Sequence, residues 1–68
     1  MDKGFKSLLE LLDNVPIDTT VIFRGAWVGR RQGVDAARAW IRENCERFRV
    51  VRAYYFWRFW VAVTLDPL

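Results

Sequence analysis

Phe5, Leu8, Leu9, Leu12 and Val15 recur at helical spacing near the start of the chain and make one apolar stripe. Lys3, Lys6, Glu10 and Asp13 fall off that stripe. Asp2 is placed to cap the first turn, and Asn14 followed by Pro16 ends the helix. So short a stripe predicts a helix laid on a core, not a membrane anchor.

After Pro16 the period changes to two. Thr19, Val21 and Phe23 alternate with Thr20, Ile22 and Arg24, and their β-branched character predicts a strand in "PIDTTVIFRGAWVG". Gly25, with no side chain to pack, marks a bulge or bend, and "GRRQG", residues 29–33, reads as a flexible basic loop. Helical spacing returns over residues 34–48. Val34, Ala37, Trp40, Ile41, Cys45 and Phe48 face one way, while Asp35 and Arg38, Arg42 and Glu46, and Glu43 and Arg47 are spaced for ion pairs on the other. Most of this helix's arginine is therefore expected to be a solvated ladder.

Residues 50–65 return to alternation. Val51, Ala53, Tyr55, Trp57, Phe59, Val61, Val63 and Leu65 fall on one face without a charge. Arg52, Tyr54, Phe56, Arg58, Trp60 and Thr64 fall on the other, with Val50 and Ala62. A membrane span needs about 20 apolar residues, and Arg52 and Arg58 interrupt this stretch. No Gly, Asn, Asp or Pro lies within it to make a tight hairpin, so the pattern predicts one long strand, kinked or split near Trp57. The expected fold is a single α+β domain over residues 1–68, in the order helix, strand, helix, strand, with both helices on one face of a two- to three-stranded sheet. The strand–helix–strand order suggests a right-handed crossover between parallel strands. Because two strands make a poor sheet, either the Gly25 or Trp57 region breaks to supply a third, or a homodimer completes it.

Composition narrows the function classes. Sixty-eight residues make one domain near the lower limit for independent folding. Cys45 is the single cysteine and there is no histidine, so an internal disulfide is impossible and a zinc site implausible. The commonest general base is missing too. Ser7 has no partner base in view, and Cys45 reads as a packed helix thiol instead of a nucleophile. No phosphate-binding glycine loop or carboxylate cluster is present. The expectation is no enzyme, no cofactor and no metal. "MDKGFKSLLELLDNV" lacks the apolar run of a secretory signal, and a lone thiol suits the cytoplasm.

The net charge of +3 is unevenly spread. Residues 1–18 carry two lysines against four acids, a net of −2. The rest carry nine arginines against four acids, a net of +5. A GC-rich codon bias gives the same arginine excess. Even so, arginine offers planar and stacking contacts that lysine lacks, and beside aromatic rings it is the composition of interaction hot spots. The candidate partner-binding residues are Arg52, Tyr54, Phe56, Arg58 and Trp60, extended by Arg24, Arg30 and Arg31. The bland alternative covers this face with the N-terminal helix or a dimer mate. Two partial likenesses fail on spacing. "VGRRQGVDAARAWI" has three residues between Gly29 and Gly33, where a K-homology loop has two, and "RGAWV" lacks one residue of the RNA-recognition-motif signature.

These readings predict a small cytoplasmic, non-enzymatic binding or inhibitor protein that occupies a functional site on a larger protein or nucleoprotein complex. Its size and lack of a cofactor site suit a phage or mobile-element product acting on host defence machinery, in the manner of an anti-CRISPR. The alternatives are a single-stranded nucleic-acid-binding or small regulatory module, and a subunit that folds only within an assembly. No membrane partner is expected.

Overall fold

The computed structural model describes residues 1–25 and 29–68. Its elements are α1 (Lys3–Leu12), β1 (Thr20–Gly25), β2 (Gly29–Gln32), α2 (Val34–Asn44), β3 (Phe48–Trp57) and β4 (Trp60–Pro67). The four strands form one sheet in the order β2-β1-β4-β3. β1 runs parallel to β4, and the pairs β1–β2 and β3–β4 are antiparallel. The domain is α+β with both helices on one face, as the alternation predicts, and both of the predicted break points are used. One chain thereby builds a sheet of four strands, and the strand expected through Gly25 ends there, with residues 26–28 outside the described part.

α1 starts on Asp2, whose carboxylate accepts the Gly4 N–H at 3.1 Å and the Val50 N–H at 3.2 Å. One side chain therefore caps the helix and ties it to β3. Phe5, Leu8 and Leu12 bury against the sheet. Gly4 sits where the helix meets β3 most closely, because a Cβ there would lie 2.6 Å from the Val50 Cβ. α2 covers β1 and β2, burying Val34, Ala37, Trp40 and Ile41. Between the layers lie Val21 and Phe23 of β1 and Val61, Val63 and Leu65 of β4, all fully buried. The Phe23 and Trp40 rings stack at 4.0 Å, and Phe48 stacks with Trp40 at 6.0 Å.

Five expectations are corrected. Residues 29–32 are a strand, not a loop, paired residue for residue with residues 20–23. α2 ends at Asn44, so Phe48 packs on Trp40 from the next strand. The early end removes the helical spacing of Arg42 with Glu46 and of Glu43 with Arg47, and Arg38 bonds Asp13 at the α1 C-cap instead of Asp35. Residues 50–65 split as a tight hairpin, which the lack of turn residues argues against, turning at Arg58 and Phe59 between the paired Trp57 and Trp60. Finally, the face assignment fails at four residues. A bulge at Val51 turns Val50 toward the core and leaves Val51 53% exposed, while Trp57 and Phe59, expected inside, are 64% and 38% exposed.

The turn before β1 contains an unsatisfied group. The backbone of Thr19 donates to the Pro16 carbonyl and accepts from the Gly33 N–H, both at 3.0 Å. Its hydroxyl is fully buried without a hydrogen-bond partner. An unmet buried hydroxyl costs about 1–3 kcal/mol, and valine keeps the shape without the polar atom. Thr19→Val is therefore expected to stabilise the fold by about 1 kcal/mol or more, read as a higher urea midpoint at an unchanged m-value.

Candidate functional site

Both helices lie on one side of the sheet, and the other side has no covering element among the described residues. Strand register gives its layout. Arg49 pairs with Asp66 at one end of β3–β4. Next comes the row Arg24, Thr64, Arg52, then Arg30, Ile22, Ala62, Tyr54, and finally Gln32, Thr20, Trp60, Trp57 at the hairpin end. Phe56, the residue bulged out of β3, joins this face through its ring. It stands 5.9 Å from the Tyr54 ring and 6.5 Å from that of Trp60. The open face therefore has a basic end and an aromatic end.

Small residues in the centre make this arrangement possible. Ala62 is almost fully covered although no element lies over it, because Ile22, Tyr54 and Trp60 close around it. Tyr54 and Trp60 are thereby half-buried and fixed sideways, with Phe56 against both. The Arg52 guanidinium lies 4.5 Å from the Tyr54 ring centroid, a cation–π distance that holds the arginine against that ring.

The hairpin tip carries Arg58 over the Phe59 ring at 5.4 Å. Phe59 has φ 65°, the left-handed region that glycine and asparagine occupy at least cost. Its carbonyl accepts the Thr20 N–H at 2.6 Å, which fixes the tip to the start of β1.

Charge is sorted between the two layers. Among the described residues, Asp66 is the only acidic residue on a strand, and it is bonded to Arg49 at 3.0 Å. The other acids lie on the helices, their caps and the turns. Arg24, Arg30 and Arg52 are exposed on the open face, with no acidic partner there.

Of the eight residues singled out from sequence, the structure brings Arg24, Arg30, Arg52, Tyr54, Phe56 and Trp60 onto this one face. Arg58 stands apart at the tip. Arg31, opposite Val21, turns to the helix side and lines a shallow cavity of about 300 Å3 with Trp40, Asn44, Arg47 and Phe48. The N-terminal helix does not cover the face. Trp57 and Ile22 belong to the site and were missed. A bulge hides Trp57 from simple alternation, and nothing in the spacing of Ile22 separates it from any other strand residue. Among the described residues no cluster of three potential ligands could hold a metal, and no helix is long and apolar enough to cross a membrane. Comparisons with protein-family models, curated proteins and solved structures found no match to this chain.

Proposed function

We propose that this chain is a small binding protein without catalysis of its own, and that it acts by laying its open sheet face on a functional site of a larger protein or nucleoprotein complex. One observation carries the reading. The only uncovered sheet face among the described residues joins a laterally fixed ring cluster to three exposed arginines, while nearly all acids are kept on the opposite layer. A face of that charge selects an anionic partner and repels a cationic one. Continuous apolar area of this kind also marks interaction sites on small proteins. A cytoplasmic setting, which the lone thiol suits, and an inhibitory, anti-CRISPR-like role for a phage product belong to the same proposal.

Tagged protein recovered from its native cells with its bound complex gives the test. Arg24→Glu with Arg52→Glu is expected to lose the complex while keeping the parent circular dichroism spectrum. Arg42→Glu on α2, Ser7→Ala and Cys45→Ala are expected to retain it. Loss on the α2 reversal with retention on the sheet reversal would place the site on the wrong layer. Loss of biological activity on folded Ser7→Ala or Cys45→Ala would restore a catalytic reading.

A further inference from the structure

We infer that the open face takes a single strand of nucleic acid, bases on the Tyr54, Phe56, Trp60 and Trp57 end and phosphates on Arg52, Arg24 and Arg30. The inference rests on the binding role proposed above and names what the face contacts within the complex. Three observations point the same way.

The first is the shape of the apolar area. Rings that anchor a protein partner project into pockets on its surface. Here Tyr54, Phe56 and Trp60 lean on one another at 5.9 and 6.5 Å, with interplanar angles of 61° and 48°. Together they form a cluster of mutually tilted rings, in which Phe56 at 44% and Trp57 at 64% exposure offer the most open faces. Unpaired bases can splay onto such rings, and stacking tolerates any base because each has a π-face. A duplex keeps its base faces stacked inside and has none to offer.

The second is charge. Three arginines without acidic partners lie beside the rings, and the one acid on the face is already bonded to Arg49. Arg52 touches Tyr54 while remaining exposed, so a single residue reaches both the stacking surface and solvent-side phosphate. The third is length. From the Trp60 row to the Asp66 row is six residues along β4, about 20 Å at strand rise. That length suits a strand of a few nucleotides, near the lower end of the ~4–16-nucleotide sites of single-strand binders.

Fluorescence anisotropy with fluorescein-labelled dT12, rU12 and a 12-base-pair duplex tests this. Both single strands are expected to bind more tightly than the duplex. Neutralising three phosphates gives a log–log salt slope of about −2, so affinity should fall about 20-fold between 50 and 200 mM salt. Phe56→Ala should weaken binding about 5- to 150-fold, and Arg52→Gln should flatten the slope by about 0.7. Arg42→Gln on the helix layer should change neither. Circular dichroism of each variant guards against loss of fold, and Trp57→Ala repeats the ring test at the most exposed position.

Duplex binding as tight as single-strand binding would overturn the inference, and so would salt-sensitive binding indifferent to both ring variants. Absence of oligonucleotide binding at 50 mM salt would overturn it as well. If the Arg24→Glu, Arg52→Glu protein nevertheless loses its native complex, the face binds an acidic protein surface and the broader binding role stands. If that variant also keeps its complex, both readings fall.

Discussion

Phe23→Ala is expected to leave the chain largely unfolded at 37 °C, whereas Trp57→Ala should melt within about 0.5 kcal/mol of the parent. Phe23 is fully buried, stacked on Trp40 and paired with Val63 in the central strand pair. Its truncation leaves a void between the sheet and α2 and costs about 3–5 kcal/mol. At roughly 0.05–0.15 kcal/mol per residue, a domain of this length holds only about 3–10 kcal/mol in total. Tm should fall by roughly 12–40 °C, or the cooperative transition should vanish. Trp57 is the larger side chain but lies mostly in solvent, so little burial is lost. Melts followed by circular dichroism decide the matter. A comparable fall in both variants would mean that the hairpin tip is buried in solution, as in a dimer.

Gly25→Ala is the second large effect. Gly25 has φ 103°, and a Cβ there would stand 2.0 Å from the Leu65 carbonyl oxygen and 3.0 Å from its carbon. The obstacle is the backbone of the paired strand, which cannot rotate away like a side chain, so β1 and β4 must part at their C-terminal ends. The left-handed backbone alone costs about 1–3 kcal/mol, and the clash adds to it. Gly33 supplies the control. Its φ is 94°, but the nearest atom to an added Cβ is the Ile17 carbonyl oxygen at 3.5 Å, an ordinary contact. Gly33→Ala should therefore show the backbone cost without the clash. Urea unfolding is expected to rank the parent first, Gly33→Ala second and Gly25→Ala a distant third. Equal midpoints for the two alanine variants would show that the strands are not held this closely.

Much of the candidate site was legible in the sequence for a reason that the sequence itself concealed. In a hairpin with a two-residue turn, paired residues such as Trp57 and Trp60 share a face although one is odd and the other even. That turn should have exchanged the two faces between β3 and β4. The bulge at Phe56 shifts parity by one more residue and restores it, so that Tyr55 opposes Val61 and Tyr54 opposes Ala62. Alternation therefore runs on through the turn as if the chain were straight. The turn was invisible because Phe59 holds a positive φ without being glycine or asparagine. The other bulge, at Val51, had no such compensation, and there the predicted faces fail.

Other misreadings came from contacts that two geometries satisfy equally. Phe48 continues the spacing of the α2 stripe, yet it reaches the Trp40 ring from β3, on the far side of a turn. β2 is four residues long, contains two arginines and lies at a sheet edge. Without a buried apolar face it carries no period-two signal, and its existence depends on β1 beside it. Arg38 satisfied the helical spacing rule with Asp35 but bonds Asp13 on the neighbouring helix. Local spacing cannot see a partner that tertiary packing brings alongside.

The middle of the sheet is assembled from residues far apart in the chain, since 20–25 pair with 60–65. On a ribosome adding about 5–20 residues per second, β1 has only β2 to pair with until almost all of these residues have emerged. The edge of β1 that β4 occupies stays open for the seconds that this takes. Closure must also wait for a long loop to form, which slows folding relative to proteins with local contacts. Cells making this protein should therefore find its nascent chains among the clients of holding chaperones. An incomplete product lacking 60–67 leaves one edge of β1 unpaired and is a substrate for proteases.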